Sequence, residues 1–527
     1  MNKNHGRVIF KPYNMDQLSL PLSLECMIAP NHPVRVVNEV IEEMRLEPLL
    51  AKYKGGGTSS YHPKMLLKVL LYGYTQKIRA SRRIAKAICE NIPFMWLAGG
   101  NRPDFHTINR FRVEMGPIIE SVFKELMIYL VRNGIINLRS LFVDGTKIEA
   151  NANKYSFVWG KGLKKQRERL ANTIKKLLEE INQANELEEK LYGDEDLSEA
   201  SYQLVDDPEG LADLVKRVNE AVAGKSKSPR DKRVKVTRRV ARKLTKDCLP
   251  RAERYKKQIE EIGEQRRSMS KTDKDATFMR MKEDHMKNGQ LKPGYNVQIG
   301  TQNQFVLNFS IHQHPGDTRC LKDHIEQFKA IYGCYPHELI ADAGYGSEEN
   351  YEFLKGENIT PYVKFNMFHK EQKAYFKNDP YRKENMPYDP EKDEYTCPAG
   401  RKLTYRYTNK RKTEAGYVSS IRYYECESCA DCPHHEACTK SKNGNRGIGI
   451  NRRLEALKAE ARANLMSEAG VAMRKRRCIE PEAVFGRIKW CWGFKRFLLR
   501  GLEKVRTEWG ILCMAHNLMK LAAMSRA

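Results

Sequence analysis

No apolar run in this chain approaches the roughly 18 residues that a membrane-spanning helix needs, and the opening stretch "MNKNHGRVIFKPYNMDQ" lacks the apolar core of an export signal. Neither a membrane-spanning nor an exported protein is expected. No GxxxxGK[ST] loop is present to cradle nucleotide phosphates, so nothing points to ATP. Acidic residues are also in short supply, with 66 Asp and Glu against 93 Lys and Arg, a formal net charge of +27. An excess of that size on a globular chain points to a polyanionic partner, with a basic surface kept for solubility as the plain alternative. What the chain does have is length and core-forming residues. Its 527 residues, 41% of them hydrophobic, suffice for several units with real cores.

Thirteen cysteines in a chain with no export signal do not read as a disulfide framework. Eight are scattered, and five gather. Cys426, Cys429 and Cys432 form C-x2-C-x2-C, Cys438 follows, and Cys397 stands in a Cys-Pro-x-Gly turn. A thiolate tetrad for a structural Zn2+ is the natural reading. These five cysteines together with His434 and His435 exceed four positions, so spacing does not select the ligands. An iron–sulfur cluster or metal-free thiols are the other readings.

Residues 1–136 read as short helices, among them "YHPKMLLKVLLYGY" and the basic "RPDFHTINRFRVEM" with Arg110 and Arg112. These suit a helix-turn-helix reader of DNA or a plain helical bundle equally well. Near residue 138 the pattern changes. "SLFVDG" reads as a buried strand that ends in Asp144. After a long insertion, "PGYNVQIGTQNQFVLNFSIHQ" predicts a hairpin turning at Asn303, and "ELIADAGYG" a second strand with Asp342 at its end. In the insertion, Leu170, Ile174, Leu177, Ile181, Ala184 and Leu191 step at heptad spacing. Val240, Leu244, Cys248, Tyr255 and Ile259 do so beyond a polar break, which predicts two long helices in a hairpin.

Acids at the ends of neighbouring strands converge, and convergent carboxylates suit Mg2+ or Mn2+. A third is available in "RRCIEPEAVFGRIKW". With Pro481 opening a helix, Glu482 and Lys489 fall on one face, and Glu480 stays at the entrance. Further on, Lys495, Arg496 and Arg500 are interleaved with aromatics, a pattern suited to phosphate contacts.

The ordered set "VDGTKIEA", "GYNVQIGT", "IADAGYG" and "EAVFGRIK", together with the N-terminal "YHPKMLLKVLLYGY…INRFR", resembles the DDE transposases of bacterial insertion sequences. The resemblance implies an α/β RNase H-like catalytic domain with a mixed sheet and helices, plus an all-α N-terminal domain, a helical-hairpin insertion and a Cys-rich insertion. The implied divisions are 1–136, helical and DNA-binding; 137–160 and 276–370, RNase H-like; 161–275, the hairpin; 371–446, Cys-rich; and 447–527, carrying the catalytic Glu. It implies that Asp144, Asp342 and Glu482 hold catalytic Mg2+ or Mn2+, and that Lys489, Lys495, Arg496, Arg500, Arg110 and Arg112 contact DNA. Cys397, Cys426, Cys429, Cys432 and Cys438 are the candidate structural Zn2+ ligands. The partners it implies are double-stranded DNA, as terminal inverted repeats and target, bound by a homodimer in the bacterial cytoplasm at the nucleoid, with no membrane. The implied chemistry is hydrolysis at the element's ends and transfer of the 3′ hydroxyl to target DNA. A related group carries Tyr-x2-Arg-x3-Glu-x6-Lys. Here Glu482 and Lys489 keep the spacing, but Cys478 stands where the arginine belongs and Arg477 is one residue off. Counted from Glu480, Arg476 fits and Arg487 replaces the lysine. A nuclease that cuts without joining, or a non-catalytic DNA-binding descendant, are the alternative functions.

Overall fold

The computed structural model describes residues 23–51, 60–192, 207–223, 232–264, 266–281, 289–413, 416–441 and 444–525. Two N-terminal helices, Pro33–Glu43 and Pro63–Thr75, start the same way. In each, a His-Pro pair puts proline at the first helical position, and the His32 or His62 Nδ1 accepts the N–H two residues on at 3.2 Å. The second of these helices is almost wholly buried, even at Lys68, whose ammonium donates to Asn38 Oδ1 at 2.7 Å and pairs with Glu42. Helices Glu47–Leu50, Ser81–Glu90, Ile92–Leu97, Phe105–Glu114 and Ile119–Arg132 also belong to this region.

Strand β1 (Ser140–Glu149) is central to a mixed sheet. A small antiparallel pair, β2 (Phe157–Trp159) and β3 (Ser268–Ser270), stands at the base of the first insertion. The strands β4 (Thr277–Arg280), β5 (Leu291–Gln302) and β6 (Phe305–His312) follow, then β7 (Glu338–Ala341) and β8 (Thr360–Val363). Across the sheet the order is β6, β5, β1, β7, β8, with β4 beside β6 on the same flank of β5. β5 runs antiparallel to β1, whereas β7 and β8 run parallel to it. The β5–β6 turn places Asn303 and Gln304 both at positive φ, 51° and 63°, the backbone of a two-residue hairpin.

The C-terminal helix Leu502–Met524 lies against the sheet and the N-terminal helices together, and one core runs through all three. Gly510 allows the close approach, since a Cβ there would lie 2.7 Å from Ile119 and 2.8 Å from Phe309.

The first insertion departs from a two-helix hairpin. Among the described residues it has three legs: Gly160–Tyr192, Pro208–Ala223, and Lys232–Lys243 running into Leu249–Ile262. The added leg, with Leu211, Leu214 and Val218, closes a core with Leu170, Ile174, Leu177, Ile181, Val240 and Leu244, which two helices alone would leave half exposed. The side chains of Ala184 and Leu191 lie outside the described residues. A π-turn, Leu244–Cys248, precedes Pro250, which sits in the first turn of the resumed helix.

The second insertion is a five-stranded antiparallel sheet: β9 (Tyr388–Asp389), β10 (Glu394–Thr396), β11 (Lys402–Lys412), β12 (Val418–Cys426) and β13 (Gly447–Ile450). Its small core is built on Leu403, Tyr424, Cys426 and Ile448. Among the described residues no helix is long and apolar enough to cross a membrane.

Candidate active site

Asp144 does not end its strand. β1 continues to Glu149 because β5 pairs with it all the way, Asp144 opposite Ile299 and Glu149 opposite Gly294. What ends near Asp144 is the parallel pairing with β7, whose last registered pair is Phe142 with Ile340. Two residues beyond that pair come Asp144, still within β1, and Asp342, the first residue past the end of β7, so continuing the register sets the two acids next to each other. The next pair in the sheet, Ala341 with Val363, is followed by Asp342 and Lys364, so a lysine stands beside the second acid at the end of β8. Burial first, then Arg477, pushes the Lys364 ammonium below its usual range.

Each aspartate is oriented by the backbone that follows it. Gly145 N–H donates to Asp144 Oδ1 at 2.9 Å, and Gly344 N–H to Asp342 Oδ1 at 2.8 Å. Gly145 also makes room for Gln298, whose Nε2 would be 2.1 Å from a Cβ at that position. Gln298 donates to Asp317 Oδ1 at 3.0 Å and accepts from the Tyr345 hydroxyl. Burial, reinforced by Asp317, Asp144 and Asp342, holds the Tyr345 phenol well above its usual range, so it stays a donor next to the acids.

Glu482 comes from the short helix Pro481–Gly486, and its side chain is 59% exposed. Arg477 joins it to the strands. The guanidinium, only 11% exposed, stands 3.4 Å from Asp342 Oδ2 and 3.9 Å from Glu482 Oε1. Helix Glu468–Arg477 stops before Pro481, and the break at 478–480 lets an arginine one residue off the signature spacing reach both acids. Arg477 and Lys364 are the functional candidates that spacing missed. The signal for Lys364 lay in its position, directly after the apolar strand "TPYV".

Glu480 is held elsewhere. It accepts Gln304 N–H at 2.7 Å and pairs with Arg476 at 2.9 Å, buried to 5% at its side chain. It thus ties the β5–β6 turn to the helix break.

Two expected DNA contacts are corrected. Lys489 is buried to 8%, because the helix widens into a π-turn at Arg487–Cys491 and rotates it off the exposed face that carries Glu482. Arg112 is buried to 5% and donates to the Arg79 carbonyl at 3.0 Å and to Asn109 Oδ1 at 2.7 Å, so it braces the interior. Arg110 is exposed on the same helix. Lys495 is exposed with its ammonium 3.7 Å from the Trp490 ring centre. Arg496 and Arg500 are partly engaged with backbone, donating to the carbonyls of Ala150, Ala152 and Asn151 just after β1.

Cys397, Cys426, Cys429, Cys432, Cys438, His434 and His435 line one small cavity in the second insertion. Burial raises the thiols of Cys426, to about 12, and of Cys438. Among the described residues no three His, Cys, Asp or Glu side chains, here or around Arg477, converge in a metal-ligating arrangement.

No curated protein and no solved structure matches the chain. Two family models do, both of transposases. A transposase domain matches residues 22–114, the N-terminal helices, and a transposase DDE domain matches residues 396–522, which include Glu482. With strand-borne acids, a helix-borne glutamate and these two matches in order along it, the chain is similar to transposases over residues 22–114 and to their DDE domain over residues 396–522.

Proposed function

We propose that Asp144, Asp342 and Glu482 are the acids with which this transposase cuts DNA at the ends of its element and joins the freed 3′ hydroxyl to target DNA. The observation that carries the reading is the bridging of Asp342 and Glu482 by Arg477 at a point where β1 and β7 set Asp144 beside Asp342. These hard carboxylate oxygens fit Mg2+ or Mn2+, and the Arg477 guanidinium among them marks the place as one that takes positive charge. Bound there, the ions lower the barrier to oxygen attack on phosphorus.

The chain's own residues orient and bind. Gly145 and Gly344 N–H groups fix the aspartates, and the Tyr345 hydroxyl donates to Gln298, which packs against Gly145. Arg477 and Lys364 supply charge for the scissile phosphate. Water takes the place of the 3′ oxygen on phosphorus, leaving a 3′ hydroxyl and a 5′ phosphate. The hydroxyl then attacks a target phosphodiester, one P–O bond forming as another breaks. The sheet order β6, β5, β1, β7, β8 supports an RNase H-like assignment for this unit. Two copies acting on two ends fit the need to bring both ends of an element together. One structural Zn2+ on four of the five thiols that line the small cavity belongs to the same proposal, and it requires those side chains to draw together from where they stand.

End-cleavage and strand-transfer assays in Mg2+ test the reading. Asp144→Asn and Asp342→Asn should each abolish both steps while DNA binding persists. Wild-type cleavage without joining would instead establish a nuclease.

A further inference from the structure

The second insertion carries a feature the reaction has not used. β10 covers β11 only at Lys402–Thr404, and β13 covers β12 only at Arg422–Glu425. Beyond those residues β11 and β12 run on as a bare two-stranded ribbon, Asn409–Lys412 facing Val418–Ile421. All of Tyr405–Lys412 is exposed. Between Leu403 and Tyr424 the sequence has five basic residues and a single acid, Glu414.

The ribbon is stiff. Tyr407 stacks on Tyr423 with ring centres 4.9 Å apart and planes 19° from parallel. The Arg422 guanidinium lies 4.6 Å from the Tyr405 ring, whose hydroxyl hydrogen-bonds Thr408 Oγ1 at 2.9 Å. A bulge at Arg406 resets the alternation of β11, and that arginine pairs with Glu425 at 3.4 Å. Lys410, Arg411 and Lys412 make no ion pair among the described residues.

The ribbon is also anchored. Ser419 Oγ donates to Glu348 Oε2 at 2.7 Å, and Asn451 Nδ2 donates to both, at 2.8 and 2.6 Å. Glu348 opens the helix that follows Asp342, so the ribbon's position is tied to the element leading out of the acid site.

We propose that this ribbon is a duplex-DNA-binding surface, gripping backbone phosphates through Lys410, Arg411 and Lys412. A two-stranded β-ribbon matches the width of the major groove, and three exposed cations with no ion pair among the described residues complement phosphate charge. Contacts of this kind set register and orientation and carry no sequence preference. The proposal rests on DNA being the substrate, and the anchor at Glu348 makes the bound duplex keep a fixed relation to Asp342.

The test uses the full-length protein carrying Lys410→Gln, Arg411→Gln and Lys412→Gln together. Fluorescence anisotropy is read against salt with a labelled duplex from the gene's flanking DNA, an unrelated duplex of equal length, and a single strand. With about 0.9 counterion released per phosphate contact, the log–log salt slope should become shallower by about two to three. The affinity deficit should differ by about 40-fold between 50 and 200 mM salt. Both duplexes should be affected alike. An unchanged slope and affinity for duplex would overturn the proposal, as would a loss confined to the single strand. So would aggregation with unchanged affinity in the soluble fraction, because the lysines would then serve only to keep the ribbon's edges apart. Asp144→Asn, run in parallel, separates the two readings: lost cleavage there with intact duplex binding by the ribbon variant sinks the ribbon alone.

Discussion

Glu480 and Glu482 stand two residues apart and should fail in opposite ways. Glu480 accepts a half-buried backbone N–H at 2.7 Å and an arginine at 2.9 Å. A hydrogen bond to a charged acceptor contributes about 1.5–3 kcal/mol, and losing it leaves the Gln304 N–H unpaired beside the hairpin turn. The Arg476 pair adds less than about 1 kcal/mol, because that guanidinium is well exposed and screened. Glu480→Ala should therefore cost about 2–4 kcal/mol, and Glu480→Gln, which keeps an acceptor oxygen, about 1–2 kcal/mol. Glu482 is mostly exposed and, among the described residues, its one ion pair is with Arg477 at 3.9 Å, so Glu482→Gln should move stability by less than about 0.5 kcal/mol. Urea unfolding followed by tryptophan fluorescence gives the first quantity. End cleavage in Mg2+, measured well below the unfolding midpoint, gives the second. Glu482→Gln should lose cleavage at full stability, and Glu480→Gln should keep cleavage at reduced stability. Cleavage lost at position 480 with stability unchanged, or retained at position 482, would refute the assignment of the acids.

Gly145→Ala should displace Gln298, cost about 1–3 kcal/mol as overpacking and depress cleavage through Tyr345 and Asp317; wild-type activity would remove that support from the site. Arg477→Gln should lower cleavage at least about tenfold without unfolding the chain, since one charge-assisted contact is worth that much; unchanged rates would show that the guanidinium only fills space. Acidification should destabilise the fold. Burial lowers His312 and His516 to about 4 and His324 to about 3, so below the unfolded value of 6.5 the unfolded chain binds more protons. Stability from these groups is full above pH 6.5 and falls by several kcal/mol, on the order of 5, between pH 7 and 5. Asp273 and Glu508, raised by burial, act in the opposite sense as they protonate. A urea midpoint equal at pH 7 and 5 would contradict the sign. If the cysteine cavity holds zinc, native mass spectrometry should show one ion per chain that Cys426→Ser removes; a metal-free wild-type mass would leave the thiols as packing.

Strands and acids were legible because apolar β-runs followed by Asp leave a local trace: Leu141–Val143 before Asp144, and Leu339–Ala341 before Asp342. The place where a strand stops left none. Asp144-Gly145 reads as a turn, yet β5 supplies a hydrogen-bonding partner up to Glu149, and only the pairing partner settles that. The helix phase of Lys489 failed for a similar reason. The π-turn at Arg487–Cys491 changes the helical phase at Lys489 itself, and no composition marks it. Arg112 looked like part of a basic helix face because it lies close to Arg110, but its guanidinium turns inward to the Arg79 carbonyl and Asn109 Oδ1 and is buried. Arg477 lies one residue off the signature spacing, and what brings its guanidinium to both acids is the break at 478–480 between the two helices, which residue counting does not register. The third leg of the first insertion has a short apolar pattern, Leu211, Leu214 and Val218, that a two-helix expectation overlooked.

The single core that joins the N-terminal helices, the sheet and helix Leu502–Met524 makes this gene product brittle to truncation. A stop codon that removes the last helix would strip Trp509, Leu512 and Leu518 from beneath residues nearly four hundred positions away, including Ile119. The N-terminal helices expressed alone would expose the surface that this helix covers. Copies of the element that lose the end of the reading frame should therefore leave unfolded protein, which proteases clear, and no surviving DNA-binding fragment to occupy the ends of intact copies.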